Sequence, residues 1–205
     1  VDRCEFHPFE AFQTNIVGTN NVIQAAIHEG VKKLIYISTD KAVNPIGVMG
    51  ASKLLGEKLI SAEAFYNSTD TIFASTRFGN VLHSRGSVLP LIEKQIRIGG
   101  PITLTDKRMK RFFMTKEDAV NLITKATELS KGGETFVLKM PLLMLNDLFD
   151  SMKQILSSKY GYDPSSIKTK IIGLKPGEKI FENLLTDHEM ETVLETKDFF
   201  IIPPL

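Results

Sequence analysis

The chain has 205 residues and a mass of 22.9 kDa, room for one large or two small domains with a core that needs no covalent staples. Its 25 Lys+Arg against 24 Asp+Glu leave a formal charge of +1, which excludes a global pull toward nucleic acid or anionic lipid and confines any anion site to a local cluster. Hydrophobic content of 42% and charged content of 24% exclude the disordered and low-complexity classes, and the single cysteine, Cys4, excludes an internal disulfide framework and a cysteine-rich zinc site.

In chain order, Pro8 to about His28 carries Phe9, Phe12, Ile16, Ile23 and Ile27 at roughly helical spacing, with Pro8 at a first-turn position and Gly30 just past the end. Lys33–Ser38 reads as a buried parallel strand, and Ser38 to Gly47 as a polar loop. Val48 to Tyr66 returns to helical periodicity, and Thr71–Thr76 is a second strand. Helix alternating with strand predicts an α/β fold with a parallel sheet. Beyond Gly79 the pattern predicts helices at 86–98, 116–130 and 146–158 and short strands at 102–105 and 135–138, as in a small α+β lobe. The tail predicts a strand at 170–172, a Gly173-Leu-Lys-Pro-Gly177 loop, a short helix near 179–185 and a strand at 199–202.

No apolar run reaches the ~18–20 residues of a membrane span, so no membrane contact from this segment is expected, and neither is a secretory leader. The chain starts without Met and directly in helix-like sequence, from which we expect a piece of a longer protein. The four histidines, His7, His28, His83 and His188, are scattered without an i,i+4 pair or a carboxylate partner and read as surface or structural; no metal site is expected. The basic run 107–111 is too short for a nucleic-acid groove and, Arg111 apart, reads as solvated.

The chemistry concentrates in Ile35-Tyr-Ile-Ser-Thr-Asp-Lys-Ala-Val-Asn-Pro45 and Val48-Met-Gly-Ala-Ser-Lys53. Ligands of open parallel sheets bind at the carboxyl ends of strands, where Ser38, Thr39, Asp40 and Lys41 would present hydroxyl, carboxyl and amine at one edge. Met49 and Lys53 are four apart at the start of the next helix and share a face. Taken singly, Asp40 and Lys41 are a loop pair and Lys53 a helix lysine; together at this spacing they form a candidate site.

This strand-S-T-D-K, proline, x-G-A-S-K segment resembles the active-site segment of extended short-chain dehydrogenase/reductases, and more narrowly that of the inverting UDP-N-acetylglucosamine 4,6-dehydratases of polysaccharide biosynthesis. Met49 stands where most of that superfamily has the Tyr of a Y-x-x-x-K pair, as in the membrane-associated branch of these dehydratases. A thioether exchanges no proton, so the sugar O4 proton is left to Thr39 or an ordered water. The segments Phe12–Val22, Arg77–Val81, His83–Pro90, Arg111–Thr115 and Gly173–Lys179 are similar to the same family.

The resemblance implies NADP or NAD as cofactor, with Asn15, Ser38 and Lys53 on the cofactor side, and a UDP-N-acetyl sugar substrate contacted by Asn80, Arg85, Arg111 and Glu178. It implies Lys41 as the base at sugar C5, Asp40 as the acid at the departing C6 hydroxyl, Thr39 near O4 and Lys53 at the nicotinamide ribose. The Gly-rich dinucleotide fingerprint is absent from the chain. We therefore expect residues 1–80 to be the later half of a partial Rossmann-like domain and 81–205 mainly a substrate lobe, with some segments returning to the sheet. A UDP-sugar 4-epimerase and a catalytically incompetent nucleotide-binding fragment are the alternatives. The complete protein is expected to be a homo-oligomer, cytoplasmic or the cytoplasmic portion of a membrane-anchored parent.

Overall fold

The computed structural model describes residues 2–66, 70–84 and 86–204. After a short helix α1 (Asp2–Phe6), the first long helical stretch is interrupted by a wide turn: α2 (Pro8–Phe12) runs through a π-helical turn at Gln13–Val17 into α3 (Gly18–His28). Strand β1 (Lys33–Thr39), a 3-10 turn at Asp40–Ala42, helix α4 (Val48–Tyr66) and strand β2 (Ile72–Phe78) then form a strand–helix–strand unit with β1 and β2 parallel. The loop expected over 38–47 thus contains a helical turn. Its start is set by Thr39, whose hydroxyl accepts the Lys41 amide.

Residues β3 (Asn80–Val81), α5 (Val88–Arg97), β4 (Ile102–Leu104), β5 (Lys110–Met114), α6 (Lys116–Leu129) and β6 (Thr135–Leu138) follow. Then come β7 (Leu142–Met144), α7 (Leu145–Leu156), β8 (Thr169–Ile171), α8 (Asp187–Thr192), β9 (Leu194–Glu195) and β10 (Phe199–Ile202). The main sheet has the order β1-β2-β6-β10-β9; β1, β2 and β6 are parallel, and β10 and β9 close it antiparallel. One face packs Tyr36 and Phe73 against Ile23 of α3 and Ile60 of α4, and the other packs Ala74 and Phe136 against Leu122 and Ala126 of α6. Cover on both faces suits the apolar runs Leu34–Ile37 of β1 and Ile72–Ala74 of β2.

A second core sits off the carboxyl end of the sheet, where Ile92 and Ile96 of α5, Leu104 of β4, Phe113 of β5 and Phe149 of α7 meet. Segment 107–111 belongs to this lobe more than its charge suggests. Met109 is fully buried in the lobe core and Lys110–Met114 is a strand, because the apolar residues outweigh the flanking lysines. The helix expected near 179–185 is also corrected. That segment is an irregular loop, and the helix lies later, at α8, where Thr186 and Glu189 form a reciprocal capping box.

Candidate active site

A cavity of about 500 Å³ opens between the carboxyl ends of β1 and β2 and the lobe. Its wall includes Lys41 from the turn after β1, Asn80 from β3, Arg111 from β5, and Glu178 and Glu182 from the loop before α8. Four of the sequence-predicted residues, Lys41, Asn80, Arg111 and Glu178, thus come together from segments as far apart as the first and last quarters of the chain. Arg85 lies outside the described residues.

The Thr39-Asp40-Lys41 triplet is a hydrogen-bonded unit. The Lys41 ammonium donates to Asp40 Oδ1 at 2.8 Å, and Thr39 Oγ1 donates to the same oxygen at 3.0 Å. Asp40 has no exposed surface, and its second oxygen, Oδ2, has no hydrogen-bond partner among the described residues. An unsatisfied buried carboxylate oxygen is costly. Only Lys41 of the triplet lines the cavity, so Asp40 reaches a ligand through the Lys41 ammonium.

The turn is held in place from two sides. Gly50 brings the first turn of α4 against the Lys41 carbonyl; a Cβ at Gly50 would collide with that oxygen and with Pro45. Lys179 donates to the Val43 carbonyl at 2.6 Å, tying the loop before α8 to the turn. The amino end of α4 is capped from α1, whose Glu5 accepts the Val48 amide at 2.6 Å, a carboxylate at the positive end of the helix dipole.

Arg111 is buried, and its guanidinium donates to the carbonyls of Lys110, Ile180 and Lys179, with Glu178 at 3.7 Å. Its donors fix the loop that carries Glu178 and Glu182. Glu178 in turn accepts the Lys175 amide at 3.2 Å and faces Thr105 Oγ1 at 3.5 Å. Asn80 lines the cavity, and its side-chain amide donates to the Phe112 carbonyl at 2.9 Å.

The residues expected on the cofactor side form a separate group, outside the cavity wall. Lys53 donates to the Ile37 carbonyl at 2.9 Å and lies over the Tyr36 ring at 4.7 Å, and burial pushes its ammonium below the usual lysine range. Asn15 sits in the π-helical turn, a distortion frequent at functional sites, and donates to Ser52 Oγ at 3.0 Å; Ser52 in turn donates to the Met49 carbonyl. Ser38 is buried at the end of β1 with a hydroxyl that has no partner among the described residues. Met49 is half-buried beside this group and not on the cavity wall.

Glu182 and Glu5 escape sequence reasoning, and Lys179, inside the singled-out Gly173–Lys179 segment, is given no role there; Glu5 and Lys179 act through long-range contacts to Val48 and Val43 that no spacing marks. Among the described residues no cluster of three or more His, Cys, Asp or Glu could hold a metal ion. The histidines are exposed, and two of them do have carboxylate neighbours, contrary to expectation: His28 with Glu29 at 2.9 Å and His188 with Glu191 at 3.7 Å.

The chain is 51% identical over 205 residues to an uncharacterized membrane protein of Methanocaldococcus jannaschii, spanning 62% of that protein. No helix among the described residues is long and apolar enough to cross a membrane. It is 42% identical over 204 residues to UDP-glucose 4-epimerase of Rickettsia rickettsii, covering 99% of the chain and 58% of the relative. An X-ray structure of Pen from Bacillus thuringiensis superposes with a TM-score of 0.95 at 48% identity, covering 99% of this chain and 62% of that one. A family model described as polysaccharide biosynthesis protein matches residues 1–204, and the chain belongs to that family.

Proposed function

We propose that this chain supplies the catalytic turn and the sugar-nucleotide cavity of an NAD(P)-dependent enzyme acting on UDP-sugars, and that its reaction is the 4,6-dehydration of UDP-N-acetylglucosamine to a 4-keto-6-deoxy sugar. The observation that carries this reading is the Lys41 ammonium, which is bonded to the fully buried Asp40 and opens into a cavity at the carboxyl ends of two parallel strands. In this reading residues 1–80 belong to the nucleotide-binding half and most of 81–205 to the substrate lobe.

The cofactor-side residues suit a nicotinamide ribose: Ser38 has an unused buried hydroxyl, and Lys53 and Asn15 are fixed by Ile37 and Ser52. NAD(P), when bound, supplies reversible oxidation of the sugar at C4, which acidifies the C5 proton. The chain's own residues do the rest. In this reading Lys41, positioned by its hydrogen bond to Asp40 Oδ1 at 2.8 Å, takes the proton from C5. The resulting ammonium returns a proton to the departing C6 hydroxyl, which leaves as water while the C5–C6 double bond forms. This revises the expectation that Asp40 itself protonates the leaving group, since Asp40 has no exposed surface. In this reading Glu178 accepts from ribose hydroxyls and Asn80 contacts the diphosphate side. Thr39, bonded to Asp40, is the hydroxyl we assign to the sugar O4 proton, which Met49 cannot take.

A UDP-sugar 4-epimerase is the second reading, favoured by the name of the 42% identical relative. It uses the same cofactor and needs no elimination. Incubation of UDP-N-acetylglucosamine with the protein, expressed with whatever its gene encodes on either side, separates the two by product mass: loss of one water supports dehydration, and unchanged mass with inverted C4 supports the epimerase. Calorimetric titration of the 205-residue chain with UDP tests the cavity directly, and absence of binding would remove both readings.

A further inference from the structure

The loop before α8 closes on the rest of the fold through a residue that the reaction outlined above does not use. Lys175, Pro176, Gly177 and Glu178 of this loop line the cavity together with Lys41. The later end of the loop is tied down by Arg111, which donates to the Lys179 and Ile180 carbonyls, and by the Lys179 ammonium on the Val43 carbonyl. Its earlier end meets Glu5 of α1. A Cβ on Gly177 would stand 2.7 Å from Glu5 Oε1 and 2.9 Å from Glu5 Cδ, in the room that the carboxyl fills.

The same oxygen touches the other side of the cleft. Glu5 Oε1 accepts the Val48 amide at 2.6 Å, and a Cβ on Gly47 would lie 2.5 Å from that oxygen and 2.9 Å from the Gly177 Cα. Gly47, Glu5 and Gly177 therefore form one close-packed seat, with the carboxyl between the start of α4 and the loop that carries Glu178. Gly177 is suited to it twice over, by its missing Cβ and by its φ of +71°. Atoms packed this closely fix a separation, since neither backbone can move toward the other without displacing Glu5, or away without losing its contacts.

We propose that Glu5 is a positioning residue for the sugar-nucleotide cavity: it sets the distance at which the loop bearing Glu178 seats on the start of α4. The inference deepens the function proposed above and rests on it for its catalytic meaning. Glu178 follows Gly177 directly, and Val48 stands two residues before Gly50, which is pressed against the Lys41 carbonyl. One side chain thus fixes both the wall assigned to the ribose and the helix turn behind Lys41. The seat requires an acceptor oxygen for the Val48 amide and the length to reach Gly177 from α1. Glutamine has both, and alanine has neither.

The test is amide–water exchange of the chain by NMR, with calorimetric titration of UDP into the same variants. The reporter is the Glu178 amide, which closes a turn onto the Lys175 carbonyl at 3.1 Å, and the amides of α6 are the reference. In E5A the Glu178 amide should exchange about ten-fold faster with α6 unmoved, and UDP should bind about ten-fold more weakly. E5Q should bring both back to within about two-fold of the parent. A merely structural Glu5 would loosen α4 and lower stability without a selective effect on the distant Glu178 amide. An unmoved Glu178 amide in E5A, or E5Q as disruptive as E5A, overturns the proposal. G47A decides if E5A fails to fold: it keeps the Glu5 side chain, inserts a methyl against the Gly177 Cα, and should release the Glu178 amide, whereas an unmoved amide overturns the seat. Release of the loop in E5A with no UDP binding to the parent would defeat the enzymatic reading and leave the seat standing. UDP bound equally by the parent and E5A would overturn the positioning role and leave that reading intact.

Discussion

Two buried charge clusters lie on this fold, and they are built to opposite rules. In the first, Arg77 of β2 is sandwiched between Glu57 of α4 and Glu189 of α8. It donates to both oxygens of Glu57 at 3.0 and 2.8 Å, to both oxygens of Glu189 at 2.8 and 2.7 Å, and to the Leu184 carbonyl at 3.2 Å. Glu189 also caps α8. In the second, Asp40, Lys41 and Glu182, each acid keeps an oxygen without a hydrogen bond among the described residues, and the lysine opens to the cavity. A closed network fixes a fold; an open one stores unmet hydrogen-bonding capacity where a ligand can use it.

The sharpest way to break the comparison is at Arg77. Arg77→Met leaves Glu57 and Glu189 buried without their cation and is expected to cost about 3–5 kcal/mol by urea unfolding. A loss below about 1 kcal/mol would mean that the closed cluster is not structural and that the contrast fails.

Gly50→Ala comes next, at about 1–3 kcal/mol, because the added methyl meets the Lys41 carbonyl and Pro45, not a movable side-chain end. Unlike Arg77→Met, it should also weaken UDP binding, since it displaces the turn that carries Lys41. Lys58→Ala, on the exposed face of the same helix, is the control and should stay within about 0.5 kcal/mol in thermal unfolding. Equal effects of the two substitutions would remove the claim that α4 is pressed onto the turn.

A smaller effect separates the two capping boxes. Thr115→Ala at the start of α6 and Thr186→Ala at the start of α8 each lose a hydroxyl cap, worth about 1 kcal/mol. Only Thr186 shares its partner with Arg77, because Glu189 Oε2 accepts both the Thr186 amide and the Arg77 guanidinium. In double-mutant cycles with Arg77→Met, Thr186→Ala should therefore couple and Thr115→Ala should add.

The same contrast explains what could be read in the amino-acid text. The strands of the parallel sheet, the helix 48–66 and the Thr39-Asp40-Lys41 motif were legible because local spacing encodes them, whereas the 3-10 turn that the motif forms read as loop. Asn80 and Glu178 were legible only through resemblance to a family, since neither has a local pattern. The closed cluster was invisible. Glu57 reads as one more polar helix residue and Glu189 as part of a surface helix, and only the packing of α4, β2 and α8 makes them a pair. Glu182 was hidden for the same reason, and the helix expected over its segment lost to the Arg111 and Lys179 bonds that hold it as a loop.

The smallest expected effect is the most discriminating, because the two clusters predict opposite dependence of stability on pH. Burial opposes ionisation of Glu189, yet the hydrogen bonds and charge of Arg77 outweigh it and hold its carboxyl below the usual range. A depressed folded-state value means a contribution present above the ordinary value of 4.5 and lost as pH falls through the folded one. Burial displaces Glu182 the other way, so the folded chain binds its proton more tightly than the unfolded chain. Its contribution is present below 4.5 and is lost as pH rises through the folded value. Urea unfolding across this range should therefore show Glu182→Gln gaining stability relative to the parent as pH rises above 4.5. Glu189→Gln should be most damaging near neutrality and lose its penalty in acid. Parallel curves for the two variants would mean that both carboxyls sit in equivalent surroundings and that the division into a closed and an open cluster is wrong.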